Sequence, residues 1–195
     1  MKGKTGIIVI VAILAILVLW GVSAYNGLVR SEEGVQKAWS NVENQYQRRL
    51  DLIPNLVNTV KGYATHEQET FQQITEARAK ATQVQLNVDD LTEENLKKFQ
   101  QAQGELNSAL SRLLAVTENY PELKANTNFL ELQAQLEGTE NRIAVERRNF
   151  NQAAEEYNKK IRSFPTNIIA GIGGFDRKAY FQAAEGADKA PTVQF

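Results

Sequence analysis

The sequence predicts an all-α protein: an N-terminal transmembrane helix followed by an antiparallel up-and-down four-helix bundle with long helices. Three observations point there. Ile7 to Val22 reads IIVIVAILAILVLWGV, without a charge or a strongly polar side chain. Beyond it, long proline-free stretches rich in Gln, Glu, Ala, Leu and Arg favour helix, the four prolines being Pro54, Pro121, Pro165 and Pro191. Apolar residues in those stretches recur every three, four or seven positions, the signature of one buried helix face. The expected organisation is an anchor over 1–24, a helical domain over 25–164, and a C-terminal apolar loop with an extended tail over 165–195.

With Thr5, Gly6, Ser23 and Ala24 the apolar run reaches about 20 residues, what a tilted helix needs to cross a ~30 Å hydrocarbon layer. Trp20 and Tyr25 stand near its exit, where amphipathic rings favour the interface. A buried core helix would not be apolar all round. A cleaved signal peptide is the other alternative, since Val22-Ser23-Ala24 loosely resembles a cleavage site, but the run is longer than most signal h-regions. A retained anchor contacting the bilayer through residues 5–24 is the expectation. Lys2 and Lys4 before the span, against Arg30 and Lys37 after it, favour a cytoplasmic N-terminus and an extracytoplasmic bundle.

The first helix after the anchor carries Val35, Trp39, Val42, Tyr46, Ile53, Leu56 and Val60 on one face. Pro54 would clash with the Leu50 carbonyl and either kink or end this helix, and the continuing apolar register favours a kink. In that case the break falls at Gly62 to Thr65, with Thr65 and Gln68 at capping-box spacing. The second helix runs to about Gln85 through Phe71, Ile74, Ala77 and Ala81. Asn87 to Asp90 reads as a turn, and Asp90 with Glu93 can cap the third helix. There Phe99, Leu106, Leu113 and Tyr120 are spaced by sevens, Leu96 and Leu110 fill the seam, and Pro121 ends the helix. The last helix, about Glu122 to Ser163, places Phe129, Leu136, Ile143, Phe150, Tyr157 and Phe164 seven apart, a coiled-coil-like stripe facing a partner helix. Four antiparallel helices bring the residues after Phe164 back towards the membrane. The run Ile168 to Phe175 is apolar and glycine-rich, too short to span a bilayer. It reads as a loop packed on the bundle end, or as a membrane-dipping or oligomer contact. From Asp176 the chain is expected to be extended, with Val193 and Phe195 docking on a neighbour or disordered.

Little in the sequence supports chemistry. Without cysteine, thiol redox, disulfides and zinc-thiolate sites are excluded. A formal net charge of -1, from 22 basic and 23 acidic residues mixed along the chain, argues against nucleic acid as a partner. His66, the one histidine, opens His-Glu-Gln-Glu-Thr, but Thr70 stands where a zinc-protease helix needs its second imidazole. Catalytic, cofactor and metal sites are therefore assigned to no residue. Adjacent acids such as Glu32-Glu33 and Glu93-Glu94 point in different directions on a helix. Arg48-Arg49 and Arg147-Arg148 each place one arginine near an apolar stripe. Arg49 or Arg147 there could pair with a buried acid such as Glu67, Glu140 or Asp51, or hold a ligand.

Several blocks together resemble the LemA family: Tyr25-Asn26-Gly27-Leu28-Val29, Ala38-Trp39-Ser40-Asn41-Val42-Glu43, and Arg48-Arg49-Leu50-Asp51-Leu52-Ile53-Pro54-Asn55-Leu56-Val57. Tyr120-Pro121-Glu122-Leu123-Lys124-Ala125, Glu137-Gly138-Thr139-Glu140-Asn141-Arg142-Ile143 and Phe164-Pro165-Thr166-Asn167 continue the match, which ends in Gly174-Phe175, Tyr180-Phe181 and Phe195. The resemblance implies an N-terminal anchor, a helical bundle, and a bacterial envelope protein without a transferable catalytic residue. The expected function is a membrane-anchored, non-enzymatic scaffold that binds itself or another membrane protein. Its candidate contacts are Arg48, Arg49, Tyr63, Arg147, Ile168, Ile169, Ile172 and Phe175. The alternative is a lipid- or envelope-polymer-binding module whose C-terminal apolar run contacts the bilayer.

Overall fold

A computed structural model describes residues 2–84 and 86–182. The expected docking of Val193 and Phe195 lies outside the described residues. Among those described, the chain is all-helical and contains no strand. Helix α1 (Lys2–Lys61) is 60 residues long, about 90 Å at ~1.5 Å per residue. Its first third carries the apolar run, long and apolar enough to cross a membrane, and among the described residues its most apolar stretch is left unburied. The same helix then continues without interruption into the packed domain.

Pro54 lies inside α1 and does not end it. A proline there removes the N–H that would bond the Leu50 carbonyl. The second helix replaces the lost donor: Arg78 Nε donates to the Leu50 oxygen at 3.0 Å. The break comes after Lys61, as the sequence favours, but the Thr65–Gln68 capping box does not form. Glu67 precedes α2 (Gln68–Gln83) and offers no side-chain cap. After a short 3-10 turn over Val88–Asp90, Thr92 rather than Asp90 caps α3 (Glu93–Thr117), its hydroxyl accepting from Asn95 N–H at 3.2 Å. Helix α3 stops at Thr117, ahead of Pro121, which opens the short α4 (Pro121–Lys124) as a first-turn proline. The last long helix is therefore two pieces. Helix α5 (Thr127–Arg162) starts at its own cap, where the Asn126 side chain accepts from Phe129 N–H at 3.0 Å.

Helix α5 runs antiparallel to the second half of α1. Asn126 donates to the Tyr63 hydroxyl at the far end, Arg49 meets Glu140 midway, and Tyr157 reaches Glu32 beside the apolar run. Helices α2 and α3 pack on each other and complete two apolar clusters. The far cluster joins Ile53, Leu56 and Val60 to Ile74, Leu113, Leu123 and Phe129. The near cluster joins Val35, Trp39 and Val42 to Leu96, Phe99, Phe150 and Tyr157. Every apolar stripe residue named for α1 is buried, as are Phe129, Leu136, Ile143, Phe150 and Tyr157 of α5. Phe164, the sixth heptad position, is 82% exposed because α5 has ended at Arg162 and Ser163 turns into extended backbone.

The C-terminal apolar run is not a loop. Thr166–Gly173 forms α6, which lies between α1 and α5. It closes on Gly174 in the left-handed conformation (φ 71°), and Phe175 N–H donates back to the Ala170 oxygen at 3.1 Å. This six-residue closure is the Schellman pattern, which glycine adopts without strain. A β-carbon on Gly173 would sit 2.7 Å from the Phe175 ring and 3.2 Å from Tyr25, so its bareness lets those two rings meet edge-on, with centroids 5.4 Å apart. From Asp176 to Gln182 the chain has no regular secondary structure and folds back on its own helices.

Candidate functional site

The near end of the domain lacks a fourth full-length helix: α2 stops at Gln83, about level with Glu43 and Asn44 of α1. The extended segment 176–182 fills the space. Phe181 stacks on Trp39 at 5.8 Å between centroids and meets Phe150 edge-on at 5.5 Å, while Trp39 in turn contacts Phe99 at 5.6 Å. These edge-on and stacked contacts suit the ring quadrupoles. The Trp39 indole N–H donates to the Leu86 carbonyl at 2.9 Å, tying α1 to the connection after α2.

Two asparagines of α5 hold the backbone of the segment. Asn158 accepts from Lys178 N–H at 3.0 Å and donates to Lys178 O at 2.8 Å. Asn151 does the same to Phe181, at 2.8 and 2.9 Å. The spacing explains why one helix can do this twice. Seven residues of helix rise about 10.5 Å, and three residues of extended chain cover about 10 Å. On the other edge Ala179 N–H donates to Leu91 O at 3.1 Å. The Lys178 ammonium pairs with Glu32 at 3.1 Å, although its side chain is only 8% exposed. Burial, with the Glu32 carboxylate beside it, pushes the Tyr157 hydroxyl far above the ordinary phenol range, so that it stays protonated.

Beside Gln182 an open groove of about 570 Å³ lies between α1, α3 and α5, lined by residues including Tyr46, Arg49, Gln103, Glu140, Ile143 and Arg147. Arg49 is buried. It bonds Glu140 at 2.7 Å and the Gln103 amide oxygen, its Nε has no partner, and its guanidinium lies 5.2 Å from the Tyr46 ring centroid. Glu140 is thus the acid that Arg49 finds. Glu67 instead accepts from the Tyr120 hydroxyl, and Asp51 from Gln47.

The remaining sequence candidates scatter. Arg48 faces solvent. Arg147 packs its guanidinium over Phe181 at 4.6 Å and donates to Gln182 O at 3.0 Å. Tyr63 is 39% exposed at the far end. Ile169 turns inward towards Gly21 of the apolar run and Phe175 packs on Tyr25, whereas Ile168 and Ile172 stay exposed. His66 is exposed in the turn before α2. Sequence reasoning passed over Asn151, Asn158, Lys178 and Gln103. Asparagine is a poor residue inside a helix, and two of them seven apart beside a buried stripe were the available signal.

Residues 38–195 match the LemA family. The chain belongs to that family. Among its relatives, a LemA protein of Metamycoplasma hominis is 30% identical over 160 residues, covering 82% of this chain and 69% of its own. Magnetosome protein MamQ 2 of Paramagnetospirillum magneticum is 30% identical over 196 residues, covering 92% of this chain and 71% of the relative. MamQ of Magnetospirillum gryphiswaldense is 29% identical over 181 residues, covering 84% and 66%. The family match takes in Trp39, Arg49, Glu140, both asparagines and the docked segment.

Proposed function

We propose that this LemA-family chain is a membrane-tethered, non-enzymatic helical scaffold of the bacterial envelope, binding a second copy of itself or another membrane protein. Its α1, α2, α3 and α5 form an antiparallel up-and-down four-helix bundle. The observation that carries the reading is the unbroken α1, which serves as anchor and as first bundle helix. A rigid rod of this kind holds the domain at a fixed height and angle, which suits a platform and does nothing for catalysis. The lysines at its start favour a cytoplasmic N-terminus, with the bundle outside. Exposed Arg48 and Tyr63 remain the contact candidates; Arg49 is committed to its internal pair.

Native mass spectrometry of the full-length protein in mild detergent tests this. A homo-oligomer, or a complex with one reproducible partner, is the expected result. A bare monomer would count against the scaffold.

A second reading, bilayer contact through the C-terminal run, has its own support. Helix α6 lies beside Gly21 and Tyr25 at the exit of the apolar run, with Ile168 and Ile172 exposed one turn apart on it and Phe164 exposed just before it. No charged residue occurs from Ser163 to Phe175. Because the chain has no cysteine, Ile172→Cys can carry a single polarity-sensitive fluorophore in lipid nanodiscs. Blue-shifted emission, quenched by a quencher buried in the bilayer, is expected. A water-like spectrum would sink this reading.

A further inference from the structure

Residues 176–182 are held as a ligand is held, although they belong to the chain. The site reads their backbone through the two asparagine side chains and Leu91, their cation through Glu32, and their aromatic ring through Trp39, Phe99 and Phe150. Gln182 O is held in addition by Gln100 and Arg147. The groups doing the holding lie in α1, α3, α5 and the connection before α3, all remote in sequence from the segment. We propose that this groove also accepts the 176–182 segment of a second copy, so that neighbouring chains are joined by exchange of their tails.

Three features favour a second copy as the occupant. Contacts that are all remote in sequence are satisfied equally by a segment from another molecule, the condition under which an element swaps at low cost. The required pattern, a basic residue three positions before an aromatic with extended backbone between, is supplied by the chain's own Lys178 and Phe181. Finally, the continuous α1 puts groove and tail at the same distance from the apolar run in every copy. Copies sharing one membrane therefore meet in register, at raised effective concentration. The inference rests on the self-association reading above, but its test reads the groove directly.

The absence of cysteine makes that test clean. Gln100 Nε2 bonds the Gln182 oxygen at 3.1 Å, and both residues sit at the edge of the site, where substitution spares the core. Full-length Gln100→Cys and full-length Gln182→Cys are co-reconstituted in lipid and treated with a short bis-maleimide, because the long Gln100 side chain reaches the Gln182 backbone from too far for a direct disulfide. A crosslinked heterodimer that neither variant gives alone is the expected product. Adding Phe181→Ala to the Gln182→Cys chain should reduce its yield about tenfold, as loss of a central aromatic anchor does. The double variant on one chain is the reference for docking in cis. Intramolecular closure there without heterodimer in the mixture overturns the exchange, and failure of both overturns the groove itself. Native mass separates the two ideas: an oligomer whose tails close only intramolecularly keeps self-association and removes tail exchange as its cause.

Discussion

Replacing Trp39 by alanine is expected to destabilise the domain by about 4 kcal/mol, the scale of a large aromatic-to-alanine change in a core. For a domain of this size that lowers the melting temperature by about 10 °C. Trp39 is 1% exposed and touches a ring from each of three other parts of the chain: Phe99 of α3, Phe150 of α5 and Phe181 of the docked segment. The substitution opens a cavity at their meeting point and leaves the Leu86 carbonyl without its donor. Trp39→Phe separates the two losses. It keeps most of the ring contact and gives up the hydrogen bond, worth about 1 kcal/mol. Thermal unfolding followed by circular dichroism measures both. Equal losses for the two variants would mean that the hydrogen bond, and not the packing, carries the effect. A shift under about 1 kcal/mol for the alanine variant would contradict the packing described.

The Arg49–Glu140 pair is expected to respond unequally to loss of its two members. Arg49 is 3% exposed, whereas the Glu140 side chain is 41% exposed. Glu140→Ala strands a buried guanidinium whose Nε already lacks a partner and whose remaining bond is to Gln103. Removing one partner of a buried pair costs about 3 kcal/mol. Arg49→Met instead leaves a carboxylate that can turn into water, and methionine refills the apolar stem, so a loss nearer about 1 kcal/mol is expected. Urea denaturation of the two variants reads the difference. If Arg49→Met proves the more damaging, the packed arginine stem rather than the charge pair is what the far half of the domain depends on.

The helical faces were legible because their period is local. Val35, Trp39, Val42 and the α5 heptads are defined by spacing alone, and burial of such a stripe is the largest favourable term available to the chain. The caps were less legible. Thr92 won over Asp90, and no box formed at Thr65, because these choices depend on where the neighbouring connection is pulled. Proline marked Pro54 as a kink or an end of the helix, and the helix runs on through it, with Arg78, 24 residues later, donating to the Leu50 carbonyl. No reading confined to one helix contains that donor.

The sequence by itself determined the helical class, the apolar run that opens α1, and the faces its helices bury, since each follows from composition and period within one segment. Only the tertiary structure decided that Arg49 chooses Glu140, that the apolar run after Pro165 coils beside Tyr25, and that Phe181 completes the core. Those outcomes depend on which groups meet from distant parts of the chain. A short α2 leaves an aromatic hole and two asparagines unpaired beside it, and the extended tail is the part of the chain whose spacing and side chains satisfy both at once.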